Sequence, residues 1–317
     1  MGITSAAIER IRRYMKANDD RRIDTQSPPD GAVVREYRYK NDGDGMHKLN
    51  FYYPAEKMNS GEKLPLIVDV HGGGWIYGDK ELNKFYCMYL ASRGYAVMGM
   101  SYRLLPHTDI RGQIEDIFAA CGFIAEKADE LGFDADNVML TGDSAGAHLA
   151  SLTYFVNGDA ELRGIYGVNE LTLRFRCLVL SHGACALHDL LLDKNGKRMR
   201  GSGLFQRAAD RAMFGRGARK SPLYRCSSLE DVAEGRTLPP VMVIGCGKDV
   251  FVRHTRRIDG YLRPRCGKYE YDFVGEADGM RLGHVYNILR PEWEESVRVN
   301  DASLRFFDEC IIKRNKV

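Results

Sequence analysis

The chain has 317 residues, of which 44% are hydrophobic, and its formal net charge is +3 at pH 7. A chain of this length and composition can bury a large core, and α/β folds of this size are often one domain. The nearly balanced charge gives no electrostatic reason to expect nucleic acid as a partner. No apolar run reaches the ~18 residues typical of a membrane-spanning helix, so we expect no membrane span.

The cysteines and the N-terminal residues indicate the cellular compartment in which the protein works. Eight cysteines are scattered without C-x-x-C spacing, which predicts neither a metal site nor a redox motif. The start of the chain lacks the apolar segment of a secretion signal, and Ala6 stands where the myristoylation pattern needs Ser or Thr. Free thiols without a leader indicate a reducing environment. We therefore expect a cytoplasmic protein without a metal or a cofactor.

The first half of the chain predicts a helix, two antiparallel strands and then an alternation of strands and helices. Apolar residues recur at helical spacing over 6–16, which predicts an amphipathic helix, and the polar stretch 18–31 predicts a loop. A long helix is expected from Ile110, with Gly132 as its stop. Strands are expected at 33–40, 47–53, 66–70 and 95–101.

The second half continues the alternation, with one interruption at 186–238. Strands that alternate with helices predict a mostly parallel central sheet flanked by helices, so the fold class is α/β. Further strands and helices are expected at 137–141, 145–156, 175–181, 240–245 and 269–274 and from near Pro291 onwards.

The most informative motif is GDSAG at 142–146, which lies between a predicted strand and a predicted helix. A serine between two glycines on such a turn is the G-x-S-x-G nucleophile elbow. The turn holds the serine in a strained conformation with its hydroxyl exposed, and the glycines avoid collisions with the neighbouring strand and helix. The N-terminus of the following helix favours an oxyanion. Ser144 is therefore the candidate nucleophile.

A second motif, HGGGW at 71–75, directly follows the predicted strand 66–70. A strand that ends in HGGG matches the oxyanion loop of lipases and esterases, in which glycines turn backbone N–H groups toward the substrate. We expect the N–H groups of Gly72, Gly73 and Ala145 to form the oxyanion hole. The alternative is a glycine loop that binds phosphate or merely turns.

Taken together, these motifs resemble the hormone-sensitive-lipase-like branch of the α/β-hydrolases. The chain departs from that pattern at Leu105 and Ala147, where the family usually has alanine and glycine. The likeness covers roughly 50–310 and is carried by residues 71–75, 101–106, Asp116, 142–146, 245–249 and 283–285. The resemblance implies an α/β-hydrolase fold formed by a single domain over 1–317, with Arg103 and Asp116 bracing the core near the elbow.

The resemblance also implies a helical lid, formed from about residues 1–32 and the insert 186–238. Between Lys194 and Lys220 the insert carries nine Lys or Arg and one acidic residue, Asp210. This stretch is interpreted either as a solvated helical insert or as a basic lid that attracts an anionic substrate.

The partners of the nucleophile follow in the chain order Ser, Asp or Glu, His of the α/β-hydrolases. Asp249 comes just after the strand 240–245, where a carboxylate would orient the histidine. His284 lies in a loop after the strand 269–274 and is the candidate general base. His71 is expected to brace the oxyanion loop. The rival carboxylates are Asp272, Glu276 and Asp278, and the rival histidines, expected on the surface or in the lid, are His182, His188 and His254.

These residues predict a serine hydrolase that cleaves short-chain carboxylic esters through an acyl-enzyme, with a small-molecule ester as its partner. The short acyl chain is implied by the resemblance alone. A homodimer is expected only because homodimers are common among soluble enzymes. The alternatives are an amidase or arylformamidase, an intracellular carbohydrate acetyl esterase, and a ligand-binding pseudo-enzyme. The last is disfavoured because all three members of the triad are present.

Overall fold

An eight-stranded sheet forms the centre of the molecule, with the strand order β1-β2-β4-β3-β5-β6-β7-β8. The computed structural model describes residues 3–58, 60–189, 209–215, 217, 220–275 and 282–312. β1 and β2 pair antiparallel, β2 pairs antiparallel with β4, and the remaining strand pairs are parallel. The strands are β1 Ala32–Arg38, β2 Lys48–Pro54, β3 Leu64–Val70, β4 Ala96–Met100, β5 Phe133–Asp143, β6 Phe175–Ser181, β7 Val241–Cys246 and β8 Tyr269–Val274. The predicted α/β class with a mostly parallel sheet is confirmed.

Helices pack on both faces of this sheet, because alternate side chains of each strand enter two separate hydrophobic layers. In β3, Leu66 and Val68 join the layer beneath the helices Ile110–Ala125 and Ala145–Gly158, whereas Ile67 joins the opposite layer. The α-helices whose bounds are both described are Ile3–Ile23, Lys84–Ser92, Ile110–Ala125, Ala128–Leu131, Ala145–Gly158, Ala160–Tyr166, Pro222–Arg225, Leu229–Ala233, Val252–Leu262, Tyr286–Leu289 and Glu294–Asp308. Across the described ranges, no helix combines the length and the hydropathy that crossing a membrane requires.

The N-terminal helix is longer than its apolar periodicity predicts. It runs from Ile3 to Ile23, so the loop expected from residue 18 is wrong in its first part. The added turns carry polar residues that pair along the helix, such as Lys16 with Asp20 at 2.7 Å and Arg22 with Asp19 at 3.2 Å. Such i,i+3 and i,i+4 pairs stabilise a helix where the apolar spacing has ended.

Hydrogen bonds from a side chain of this helix, termed here the N-terminal helix, to backbone carbonyls fix it over two loops. Arg12 donates from Nε to Ile76 O at 2.6 Å and from Nη2 to Leu105 O at 2.8 Å. Ile76 follows the glycine motif beyond β3, and Leu105 follows β4, so both loops lie at the carboxyl ends of parallel strands. The N-terminal helix therefore covers the edge of the sheet where α/β folds form their sites.

Asp116 forms a buried ionic network, as its expected bracing role requires. Its carboxylate accepts hydrogen bonds from Arg103 Nε at 2.7 Å and Lys40 Nζ at 2.8 Å. Burial alone would raise the pKa of Asp116, but the hydrogen bonds from Arg103 and Lys40 hold that pKa below its usual value. The network joins the helix Ile110–Ala125 to the loops that follow β1 and β4.

Candidate active site

Ser144 lies on a sharp turn between β5 and the helix Ala145–Gly158, termed here the elbow helix. Its backbone angles are φ 52° and ψ −117°, a combination that non-glycine residues rarely adopt. The turn is held from the neighbouring strand, since Ser144 N donates to Ser181 O at 2.9 Å and Ala184 N donates to Ser144 O at 3.0 Å. The predicted strand–turn–helix context of the GDSAG motif is thus present.

The two glycines of the motif stand where the chain packs against β3. A Cβ on Gly142 would lie 2.6 Å from Gly146 C and 2.7 Å from Val70 O. A Cβ on Gly146 would lie 2.5 Å from His71 O. Any side chain at either position would force the elbow away from β3, so close backbone approach explains both glycines.

Asp249 and His284 form a hydrogen-bonded pair beyond the ends of β7 and β8. His284 Nδ1 lies 2.8 Å from Asp249 Oδ1, which also accepts from Phe251 N at 2.7 Å. Asp249 is buried, and burial alone would raise its pKa, but the hydrogen bond and charge of His284 hold the pKa below its usual value. A carboxylate acceptor makes Nδ1 the protonated nitrogen of the neutral ring, which leaves the lone pair on Nε2.

The His284–Asp249 pair lies near the serine, although no hydrogen bond joins Ser144 to His284 among the described residues. The His284 ring makes an edge contact with His182, at 5.9 Å between centroids, and His182 directly follows the Ser181 whose carbonyl binds Ser144 N. The charge of His284 also acts on the carboxyl of Asp143. Catalytic hydrogen bonds are often long before substrate binds.

The rival carboxylates differ from Asp249 in their partners. Asp272 lies in β8 and pairs with Arg298 of the helix Glu294–Asp308 at 2.7 Å. Glu276 and Asp278 lie outside the described residues. Among the described carboxylates, Asp249 is therefore the one that holds His284.

The rival histidines only partly match their expected places. His188 pairs with Asp231 at 2.9 Å within the insert, as expected for a lid residue. The expectation that His182 and His254 lie on the surface or in the lid is wrong, because both are buried. His182 immediately follows β6 and His254 lies on the helix Val252–Leu262, so the sheet and its covering helix bury them.

The glycine loop has one engaged amide and two free ones. Gly72 is buried and donates its N–H to Asp143 Oδ1 at 2.9 Å. Gly73 is half-buried with φ 99°, and Gly74 is exposed with φ 61°. Within the described part of the chain, the Gly73 and Gly74 N–H groups donate to no protein atom. Ala145 begins the elbow helix, so its N–H has no intrahelical acceptor.

The three expected oxyanion donors therefore differ in whether their N–H groups are free to bind a ligand. Gly73 and Ala145 keep N–H groups that a ligand could use. Gly72 does not, because Asp143 already accepts its hydrogen. Gly74, which the sequence-based set did not include, also has an N–H group without an acceptor among the described residues.

His71 braces the loop, as expected. Its Nδ1 donates to Gly72 O at 2.8 Å, and its ring stacks on Tyr102 with 4.3 Å between centroids. Tyr102 in turn donates from its hydroxyl to His71 O at 2.7 Å. Burial lowers the pKa of His71 to about 4, so the ring is neutral at pH 7.

A pair of buried carboxyl groups lies behind the loop. Asn83 Nδ2 bridges them, at 2.8 Å from Asp143 Oδ1 and 3.0 Å from Asp69 Oδ2. Burial, together with the nearby charge of Asp143, raises the pKa of Asp69 to about 8. Burial also raises the pKa of Asp143. The signal that could have identified Asp69 is its position as the one charged residue in the apolar run 66–70.

The sheet, the elbow and the histidine loop together define the α/β-hydrolase fold. The chain belongs to the BD-FAE family, whose model matches residues 49–256.

Named relatives of the chain are esterases. The structure resembles that of esterase B from Lactobacillus rhamnosis, with 35% identity, a TM-score of 0.89 and coverage of 97% of this chain and 95% of that chain. Isoprenylcysteine alpha-carbonyl methylesterase ICME of Arabidopsis thaliana is 33% identical over 118 residues, 37% of this chain and 27% of that protein. The arylesterase of Saccharolobus solfataricus is 31% identical over 116 residues, 36% of this chain and 37% of that protein. The similarity thus spans well under half the length of these two curated relatives, 27% of the first and 37% of the second.

Proposed function

We propose that the chain is a carboxylic ester hydrolase that works through an acyl-enzyme on Ser144. The observation that carries the proposal is the strained Ser144 backbone at the start of the elbow helix, close to the hydrogen-bonded Asp249–His284 pair. The family and the esterases among its relatives support the same reaction class.

In the proposed mechanism, Ser144 Oγ attacks the ester carbonyl carbon while His284 Nε2 takes its proton. Asp249 holds the ring through Nδ1 and stabilises the imidazolium that forms. The tetrahedral intermediate collapses as His284 returns the proton to the leaving alcohol. Water then attacks the acyl-enzyme with the same histidine as base, which releases the carboxylic acid and restores Ser144.

For the oxyanion hole we propose Gly73, Gly74 and Ala145 in place of the sequence-based set. Gly72 is replaced because its N–H already binds Asp143 at 2.9 Å. The positive φ values of Gly73 and Gly74 and their partial or full exposure support amides that a substrate can reach. Each such donor is typically worth ~3–4 kcal/mol of transition-state stabilisation.

We further propose short acyl chains, from acetyl to about hexanoyl, for this site. The structures of esterase B carry C4-C4 and C6-C4 inhibitors, the first a tributyrin phosphonate. With 35% identity over nearly the whole chain, that relative supports a similar acyl length here.

The lid and the compartment complete the proposal. The contacts of Arg12 over the glycine loop support the N-terminal helix as one half of a lid. The other half is the insert 186–238, whose basic stretch from Lys194 lies largely outside the described residues. Eight free cysteines support a reducing, cytoplasmic environment.

The test is hydrolysis of p-nitrophenyl acetate, butyrate, octanoate and laurate by wild type, Ser144→Ala and Ser151→Ala. Ser151 is a matched control because it is a buried serine on the same elbow helix, and its hydroxyl donates to His148 O at 2.7 Å. We expect activity that peaks at the short chains, is lost in Ser144→Ala and survives in Ser151→Ala. A folded wild type that cleaves none of these esters would overturn the proposal and direct the search to formamides and amides. Near wild-type activity in Ser144→Ala would contradict the assignment of the nucleophile.

A further inference from the structure

A buried histidine on the elbow helix contacts the tryptophan that ends the glycine motif. Trp75 Nε1 lies 3.2 Å from His148 Nδ1, and the rings meet edge to face with 5.5 Å between centroids. Trp75 is buried and His148 is fully buried. Neither side chain belongs to the triad or to the proposed oxyanion donors.

The partners of His148 determine the position of its proton. An indole N–H can only donate, so Nδ1 of His148 accepts from Trp75. Its Nε2 lies 2.5 Å from Ser227 O, and a carbonyl oxygen can only accept, so Nε2 carries the hydrogen. Burial lowers the pKa of His148 to about 4, which agrees with a neutral ring. The imidazole is thus anchored at Ser227 with its lone pair aimed at Trp75.

Trp75 needs such an anchor because its backbone is strained. Its φ is 63°, in the left-handed region that large side chains rarely occupy, and a residue of this kind costs about 1–3 kcal/mol unless its surroundings hold it. The carbonyl of Trp75 is also held, by Leu105 N at 2.9 Å and Gln113 Nε2 at 3.0 Å. The backbone and the indole are therefore fixed from separate elements.

We propose that His148 is a positioning residue for the oxyanion hole. By holding the indole of Trp75, it keeps the peptide that follows Gly74 in its strained conformation and so fixes the directions of the Gly73 and Gly74 N–H groups. Because His148 lies on the elbow helix, the same contact sets the distance between these donors and Ser144. This role rests on the ester hydrolase activity proposed above.

The first test compares His148→Leu with His148→Gln. Leucine removes both hydrogen bonds, whereas the amide of glutamine can accept from Trp75 and donate to Ser227 O. We expect His148→Leu to lower kcat about 10- to 100-fold, the size of a misplaced catalytic group, with KM within about twofold. His148→Gln should recover most of kcat. Equal loss in both variants, or a loss in KM alone, would overturn the proposal.

The second test is a double-mutant cycle with Trp75→Phe, which keeps an aromatic side chain but removes the N–H donor. If the two side chains act through one hydrogen bond, kcat of the double variant Trp75→Phe/His148→Leu should be no lower than kcat of the less active single variant. Losses that multiply would contradict the proposal.

A third readout does not depend on activity. The chain has two tryptophans, so its ¹H–¹⁵N spectrum has two indole signals, and Trp293→Phe assigns them. The Trp75 indole signal should exchange slowly in wild type and in His148→Gln and quickly in His148→Leu. An unchanged signal in His148→Leu would refute the hydrogen bond itself. A wild type that cleaves no ester would instead refute the proposed function. An active wild type whose kcat is unchanged in the His148 variants would refute only this inference.

Discussion

Gly72 and Asp143 join the oxyanion loop to the nucleophile elbow through one hydrogen bond of 2.9 Å. Asp143 directly precedes Ser144, so this bond sets the loop against the turn that carries the proposed nucleophile. The contact leaves no space for a side chain at residue 72, where a Cβ would lie 2.9 Å from Asp143 O and 3.1 Å from Asp143 Cγ. The first glycine of the loop therefore serves packing, which leaves the next two for the oxyanion hole that we propose.

This contact predicts that Gly72→Ala separates the loop from the elbow. We expect at least a 100-fold loss of kcat, because misplaced donors lose their transition-state contacts. The free energy of unfolding should fall by about 1–3 kcal/mol, as for other overpacked sites. Steady-state kinetics and urea unfolding measure both. Gly122→Ala is the control, because nothing lies within 4 Å of a Cβ there. A mid-helix alanine should raise stability by about 0.5–1 kcal/mol. Full activity in Gly72→Ala would contradict the packing argument.

The buried carboxyl group of Asp69 predicts a pH-dependent stability. Its folded pKa of about 8 lies above the ordinary value near 3.8, so the folded state keeps a proton that the unfolded state releases. The stability that this proton supplies is present at acid pH and declines between about pH 4 and pH 8, by at most ~1.4 kcal/mol per pH unit.

Asp69→Asn should remove this decline. The variant should match wild type near pH 4 and become increasingly more stable than wild type toward pH 8, because Asn still accepts from Asn83 without ionising. Urea unfolding from pH 4 to pH 9 measures the difference. The exposed Asp30 offers a control, and Asp30→Asn should follow the wild-type curve. Parallel curves for wild type and Asp69→Asn would refute the assigned pKa.

The Asp249–His284 pair predicts a large loss of kcat when the carboxylate of Asp249 is replaced by an amide of the same shape. In Asp249→Asn the amide can donate to Nδ1, which favours the wrong tautomer of His284 and loses the charge that stabilises its imidazolium. We expect kcat to fall by about 10³- to 10⁴-fold with little change in KM. Asp272→Asn is the matched control, since that carboxylate pairs with Arg298 and not with His284. If both variants lost the same activity, Asp249 would not be the partner of the catalytic histidine.

The two backbone contacts of Arg12 predict that this side chain docks the N-terminal helix. Hydrogen bonds from charged donors are worth about 1.5–3 kcal/mol each, so Arg12→Ala should weaken docking by several kcal/mol. We expect faster amide hydrogen exchange in the N-terminal helix and a several-fold higher KM with kcat nearly unchanged. Arg13 is exposed on the same helix, and Arg13→Ala should behave as wild type. Unchanged exchange in Arg12→Ala would show that other contacts dock the helix.

The sequence predicted those parts of the site in which backbone geometry demands particular residues. The glycines at 142 and 146 predict the elbow because the close approach of the backbone to β3 excludes side chains there. Asp249 and His284 could be located because each follows a strand in the expected chain order. These signals are local, so a single sequence contains them.

Sequence reasoning did less well where the answer depends on which groups meet in space. The Gly72 N–H binds Asp143, which lies far along the chain, so the sequence could not show that this amide is already occupied. The burial of His182 and His254 follows from the packing of β6 and the helix Val252–Leu262. Polar pairs such as Lys16 with Asp20 extend the N-terminal helix without any hydrophobic periodicity.

The bonds that assemble the site have a consequence for the order of folding. Gly72 and Asp143 are 71 residues apart, His148 and Ser227 are 79 apart, and Asp249 and His284 are 35 apart. Closing loops of this length costs entropy before the contacts repay it, so contacts of such separation form slowly. Recovery of ester hydrolysis during refolding should therefore lag behind the return of helical circular dichroism. Enzymatic turnover then becomes a reporter of the last tertiary steps.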